Sequence, residues 1–164
     1  DALPICYPDG FEFDLAIYGD TIPTALAEVF QQQMTEIGVM VNIDVRPADG
    51  YFTDVWLVET FVFTLWRGRT ADQWFSEIYE STAPFNETAF SNETFDSVVE
   101  EARRTLDFAA RQALYAQAQQ ILQEEGGAFI PYHFATYYLV NERVEGWEAR
   151  DWSEIEWANI SISE

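Results

Sequence analysis

Between residues 65 and 75 the chain reads LWRGRTADQWF, and Trp66, Arg67, Gly68, Arg69, Asp72 and Trp74 concentrate here the side chains best suited to holding a small polar molecule. A guanidinium presents a planar fork of donors and accepts nothing, so Arg67 and Arg69 suit a carboxylate, a phosphate or sugar hydroxyls. The indoles of Trp66 and Trp74 suit stacking on a sugar ring or a flat side chain. The same residues also have a structural reading, in which the tryptophans pack a loop or core and the arginines pair with neighbouring carboxylates. Phe75 reads as core.

Covalent catalysis and metal chemistry find little support. The chain contains no G-x-S-x-G elbow, no Walker A loop and no G-x-G-x-x-G run. Its one histidine, His133, and one cysteine, Cys6, cannot build a zinc cluster, and Cys6 cannot form an internal disulfide. Carboxylates are too numerous for any pair to stand out as a glycosidase couple. The expectation is a protein that is not an enzyme, with no catalytic residue, metal or cofactor.

The charge balance narrows the partners. Against 29 Asp+Glu stand 8 basic residues, all arginine, for a formal net charge of −21. Such a surface repels itself in dilute salt, whereas molar salt shrinks the screening length to roughly 3 Å. It therefore suits a halophilic protein. No basic patch exists to bind nucleic acid, and the acid is spread along the chain, which argues against a nucleic-acid mimic. With 48% hydrophobic and 16% aromatic residues in 164, a sizeable core is expected. No 18-residue apolar run is present. Three N-x-[ST] sequons, at Asn86, Asn92 and Asn159, arise by chance or mark an exported surface. The opening DALPICYPDGFEF has no initiator Met and reads as a mature product or a piece of something longer; LPIC faintly resembles a lipoprotein signal end, without the apolar stretch that would precede it.

Around the LWRGRTADQWF stretch, the elements are readable from periodicity. FEFDLAIY (11–18) is a partly buried strand. Leu26, Val29, Phe30, Met34 and Ile37 recur at helical spacing over 23–37, with Pro23 near the start and Gly38 as the stop. VMVNIDVRP then places Val39, Val41, Ile43 and Val45 on one strand face. The succession predicts a βαβ unit and a partly parallel sheet. Residues 48–60 suggest a short helix led by Asp49, and FVFTLW (61–66) a third strand, apolar on both faces and so central. The Trp66–Trp74 stretch would then follow a strand C-terminus, where open α/β sheets form ligand crevices. Two helices are predicted at 91–106, capped by Ser91 or Asn92, and at 107–127, capped by Asp107 and stopped by Gly126–Gly127. The remainder suggests an aromatic strand at 128–141, a turn at Gly146 and an alternating strand at 155–163.

Taken in order, PDGFEFDLAIY, LAEVFQQQMTEIGVMVNIDV, a strand ending in W-x-G, and FSNETFDSVVEEARRTLDFAARQALYAQAQQILQEEGGAFIPYHFATYYLV followed by VEGW resemble the C-terminal part of family 5 extracellular solute-binding proteins, over roughly residues 8–147. These are the peptide- and nickel-type receptors of ABC importers. The resemblance implies a type II periplasmic-binding-protein-like lobe, α/β, with its sheet flanked by helices and a β-rich C-terminal segment. Residues 1–128 would form the C-terminal lobe, and 129–164 a returning segment that packs on or crosses to a missing N-terminal lobe. The implied partners are a small solute (peptide, sugar or organic anion), a membrane permease and that missing lobe, outside the cell, in a membrane-anchored parent. In peptide-binding members the strand ends W-x-G/A-D, and the aspartate accepts the peptide ammonium. Here Trp66 and Gly68 match, but Arg69 occupies the aspartate position. That substitution disfavours an ammonium unless Asp72 takes the role. A non-transport sensing or interaction module built on the same lobe is the competing function.

Overall fold

The structure is a computed structural model, and it describes residues 7, 10–131, 133–135, 137–149 and 155–163. Cys6 lies outside them. The chain divides into two compact units, one ending at Leu65 and one beginning at Trp66.

In the first unit, strand β1 (Phe11–Tyr18) and strand β2 (Val39–Arg46) pair in parallel, in register from Phe11 opposite Val39 to Tyr18 opposite Arg46. Helix α1 (Thr21–Glu36) connects them, so the βαβ expectation holds. Odd-numbered strand residues face the helix: Leu15, Ile17, Val39 and Val41 are buried with Ala27, and Phe13, Phe30, Met34 and Ile43 pack around them. Strand alternation fixes this, since a slip of one residue would turn every apolar side chain outward. The even-numbered face is mixed: Ala16 and Tyr18 pack with Tyr51 and Val55, and the rest is mostly polar. There Asn42 donates to Glu12 and Asp14 at 2.8 and 3.0 Å, and Arg46 pairs with Asp44 at 2.7 Å and Glu59 at 3.6 Å.

Local signals set the ends of α1. The Asp20 carboxylate accepts from the Thr21 backbone, and the chain leaves through Gly38 at φ +84°. An L side chain is disfavoured there, so Gly38→Ala is expected to cost about 1 kcal/mol, read as a lower urea midpoint at unchanged slope.

Two expectations need correction. The short helix α2 (Tyr51–Asp54) is entered through Gly50 in the left-handed region, and Asp49 does not cap it. The run 61–66 does not form a central strand: it joins the sheet through a single parallel bridge, Ala16 with Val62, so β1 lies between β2 and this segment. The Ala16 N–H donates to the Phe61 carbonyl at 3.1 Å, and the Phe63 N–H donates to the Ala16 carbonyl at 2.9 Å. Periodicity identified an extended apolar segment but carried no information about its partner.

The second unit is helical at its core. A capping box between Thr70 and Gln73 starts helix α3 (Ala71–Trp74), which continues as a π-turn over Phe75–Tyr79. Helix α4 (Glu93–Arg104) is capped by Asn92, with Glu93 and Asp96 in its first turn and Arg103 and Arg104 in its last, both favourable to its dipole. Helix α5 (Phe108–Glu125) is capped by Asp107 and ends at Gly126. Phe75, Ile78, Phe90, Phe95, Val98, Val99 and Ala118 form the shared core.

The aromatic run 128–141 forms no ladder among its described residues, and His133 is exposed. Phe129, Ile130, Phe134, Tyr137 and Leu139 stay largely exposed, Leu139 fully so. Aromatic and β-branched content predicts a strand only where another strand is available to pair with it. Further on, strand β3 (Val144–Glu145) pairs antiparallel with strand β4 (Ser161–Ile162). Of the alternating stretch 155–163, the first half is instead a 3₁₀ turn at Trp157–Asn159.

Candidate functional site

The six residues singled out from the sequence all fall at the start of the second unit, where the chain enters α3. The structure brings five of them into one constellation or its tip and turns Asp72 elsewhere. Trp66 and Trp74 meet edge to face at 6.0 Å between ring centroids. The Arg69 guanidinium lies 4.7 Å from the Trp66 ring centroid and 5.9 Å from that of Trp74. Its Nε donates to Glu77 Oε2 at 3.1 Å. The result is an aromatic box whose cation is supplied by the chain itself, an arrangement stabilised by the ring quadrupoles. Tyr79 stacks on Trp74 at 6.4 Å, and Phe85 lies 6.0 Å from Trp66. Trp66 Nε1 donates to Glu87 Oε1 at 3.1 Å.

This geometry limits what Arg69 can do. With Glu77 beside it, the pair carries no net charge, and Arg69 Nη1 is buried without an acceptor among the described residues. A buried nitrogen is out of reach of a ligand, so any contact from Arg69 would come through its remaining edge. Arg67 and Gly68, by contrast, are exposed at the tip of the loop. Arg67 thus offers the more accessible guanidinium.

Asp72 faces the helical scaffold. Its Oδ1 accepts from Arg103 Nε at 2.6 Å and from the Tyr115 hydroxyl at 3.2 Å. Arg103 also reaches Glu80 with both Nη atoms, at 2.9 Å each, and its proton is held more tightly than usual chiefly by the Glu80 hydrogen bond. Burial first, then the charge of Asp72, holds the Tyr115 phenol above its usual range. Burial and Glu87 do the same for Tyr79. Both phenols therefore stay neutral donors well past neutral pH.

Sequence reading missed Glu77, Glu87, Arg103, Tyr79, Phe85 and Tyr115 as partners of the stretch. With 29 acidic residues in the chain, no sequence signal singled out Glu77 as the partner of Arg69. Elsewhere, an open groove of about 540 Å³ in the first unit is lined by Phe11, Phe13, Asp14, Asp44, Arg46 and Phe61. Among the described residues no group of histidine, cysteine and carboxylate side chains could hold a metal, and no helix is long and apolar enough to cross a membrane.

No protein-family profile and no curated protein match this sequence. Solved structures do. OppA of Burkholderia pseudomallei superposes on 96% of this chain with a TM-score of 0.79 at 18% identity, HbpA2 of Haemophilus parasuis on 99% at 0.75 and 19%. The ABC transporter-associated periplasmic binding protein DppA of Helicobacter pylori, solved with the peptide STSA, superposes on 99% at 0.72 and 20%. The chain spans 32%, 34% and 33% of those proteins, about a third of their length. Likeness at this identity establishes the fold, an α/β lobe of the periplasmic-binding-protein-like kind with a parallel sheet flanked by helices.

Proposed function

We propose that this chain is one lobe of an extracellular solute-binding protein that captures a small solute and delivers it to the permease of an ABC importer. The observation that carries the reading is the superposition of nearly the whole chain on an ABC transporter-associated periplasmic binding protein solved holding a peptide. On this reading a second lobe of the same polypeptide closes over the solute by a hinge motion, and residues 129–164 return toward that lobe. The exposed apolar side chains of Ile130, Tyr137 and Leu139 support it, since apolar surface of this kind suits burial against a further surface. The parent is membrane-anchored at the cell surface, and the −21 charge fits a salty milieu.

The candidate binding residues remain Trp66, Arg67, Gly68, Arg69, Asp72 and Trp74. Arg67 and Gly68 meet the solute first, Trp66 and Trp74 supply the apolar wall, and Arg69 sets the local charge through its pairing with Glu77. Asp72 serves only by leaving Arg103 and Tyr115, which makes an ammonium-led peptide mode costlier than an oxygen-led one. Peptides, sugars and organic anions are the solute classes in play.

The test is a thermal-shift screen of the full-length protein, at low and at molar KCl, against short peptides, sugars and organic anions. A solute-dependent rise in Tm supports the receptor; a protein that no small molecule stabilises points to a sensing or assembly module instead. Arg69→Asp would place a second carboxylate beside Glu77 and is expected to move preference toward cationic amino termini. Unchanged affinity for the same solute would remove Arg69 from the site.

A further inference from the structure

Three of the five asparagines in this chain begin N-x-[ST] sequons, and the structure treats the three differently. Asn86 is half-buried. Its Nδ2 donates to the carbonyls of Phe90 and Glu80 at 2.7 and 3.4 Å, while its Oδ1 accepts from the Phe90 backbone and from the hydroxyl of Thr88, the third residue of its own sequon. Asn92, also half-buried, caps α4: its Oδ1 accepts from the Thr94 and Phe95 backbone at 2.9 and 3.0 Å, and its Nδ2 donates to Glu125 at the end of α5 at 2.8 Å. Both amide groups are thus committed to the fold on both atoms. A sugar on Asn86 Nδ2 would remove one of the two N–H donors that bond Phe90 and Glu80, and one on Asn92 Nδ2 would have to fit beside its bond to Glu125.

Asn159 is different. It is exposed at the end of the Trp157–Asn159 turn, and its Nδ2 donates at 2.8 Å to Glu156, itself an exposed carboxylate three residues back. Ser161, the hydroxyl residue of its sequon, is exposed too. The backbone beyond it is held by a two-residue ladder, supplemented by Ser163 donating to the Arg143 carbonyl at 2.9 Å. So short a ladder opens locally at little cost, which lets a transferase draw the sequon into its extended reading conformation.

We infer that Asn159 is a glycan acceptor in this chain, and that Asn86 and Asn92 carry the same sequence pattern for structural reasons. The donor is a polyprenyl phosphate- or pyrophosphate-linked oligosaccharide, presented by an oligosaccharyltransferase that reads N-x-[ST]. The Asn159 amide nitrogen attacks the anomeric carbon, the new C–N bond forms as the anomeric C–O bond breaks, and the lipid-linked phosphate departs with that electron pair. The amide gives one proton to a base of the transferase, and nothing is oxidised or reduced. The attached glycan projects from the exposed turn beside β3 and β4.

The test uses the folded chain, a single-subunit oligosaccharyltransferase and a lipid-linked oligosaccharide, with intact mass and glycopeptide mapping as readouts. Three synthetic peptides spanning the sequons serve as controls that each is competent once free of the fold. The expected result is modification of all three peptides but of Asn159 alone in the folded chain, with the mass increment lost in Asn159→Gln and equally in Ser161→Ala, which leaves the acceptor nitrogen in place. Glycan on Asn86 or Asn92 of the folded chain would overturn the assignment. So would a folded chain left bare at Asn159 while the corresponding peptide is modified. Neither result depends on whether the protein imports a solute.

Discussion

Phe95→Ala is expected to lower the unfolding free energy by about 3–5 kcal/mol, the range for deleting a buried aromatic ring that its surroundings cannot refill. Phe95 is fully buried in α4 and meets Phe75 edge to face at 5.3 Å and Phe90 at 5.4 Å. Those contacts join three chain segments: the π-turn, the loop before α4 and α4 itself. Removing the ring leaves two aromatic edges facing a void, and the neighbouring Val99 and Ala118, fully buried in the same cluster, are too short to fill it. Domains are stable by only about 5–15 kcal/mol, so this substitution consumes a large share. Urea unfolding should show the midpoint falling steeply with little change in slope. A loss below about 1 kcal/mol would mean that the cluster collapses onto the void and that the second unit is less rigidly packed than its burial implies.

Tyr51→Phe should cost about 1–2 kcal/mol, a large effect for one oxygen atom. Tyr51 is almost fully buried, and its hydroxyl lies 2.9 Å from both the Ala16 and the Phe63 carbonyl oxygens. One proton is shared between two acceptors, one on β1 and one on the segment that leads toward the Trp66 loop. Because that segment is joined to β1 by a single bridge, the phenol contributes much of its attachment. Amide hydrogen exchange offers the discriminating readout: protection of the Phe63 N–H, which donates to Ala16 at 2.9 Å, should fall before that of β2. Equal loss across the sheet would show instead that the tyrosine acts through general packing.

How far the sequence could be read depended on whether an element's determinants were local. The βαβ unit was legible because α1 carries its own cap and stop, Asp20 and Gly38, and because alternation in β1 and β2 points one face at the helix. Asn92, Asp107 and Gly126 marked α4 and α5 in the same way. Segment 61–66 and the aromatic run 128–141 were misjudged because strand formation needs a partner, and neither apolarity nor aromatic content names one. At the site, Trp66, Arg69 and Trp74 were found together because they are neighbours in the chain. Their partners were not legible: with 29 acidic residues available, nothing distinguished Glu77 for Arg69, or Asp72 and Glu80 for Arg103, until the fold placed them.

The π-turn at Phe75–Tyr79 bears on these pairings through helical phase. An α-helix advances about 100° per residue, and a widened turn holds one residue more than that rhythm allows, resetting the azimuth of everything after it. Glu77 lies within the widened turn and meets Arg69; Glu80 lies just past it and meets Arg103. Forcing the same residues into regular α geometry would instead rotate Glu80 relative to α3 by about the 100° that the wide turn absorbs. The two arginine pairings could not then both survive. The irregular turn acts as a phase adjuster, letting one short helical stretch serve the aromatic box with one carboxylate and brace α4 with another.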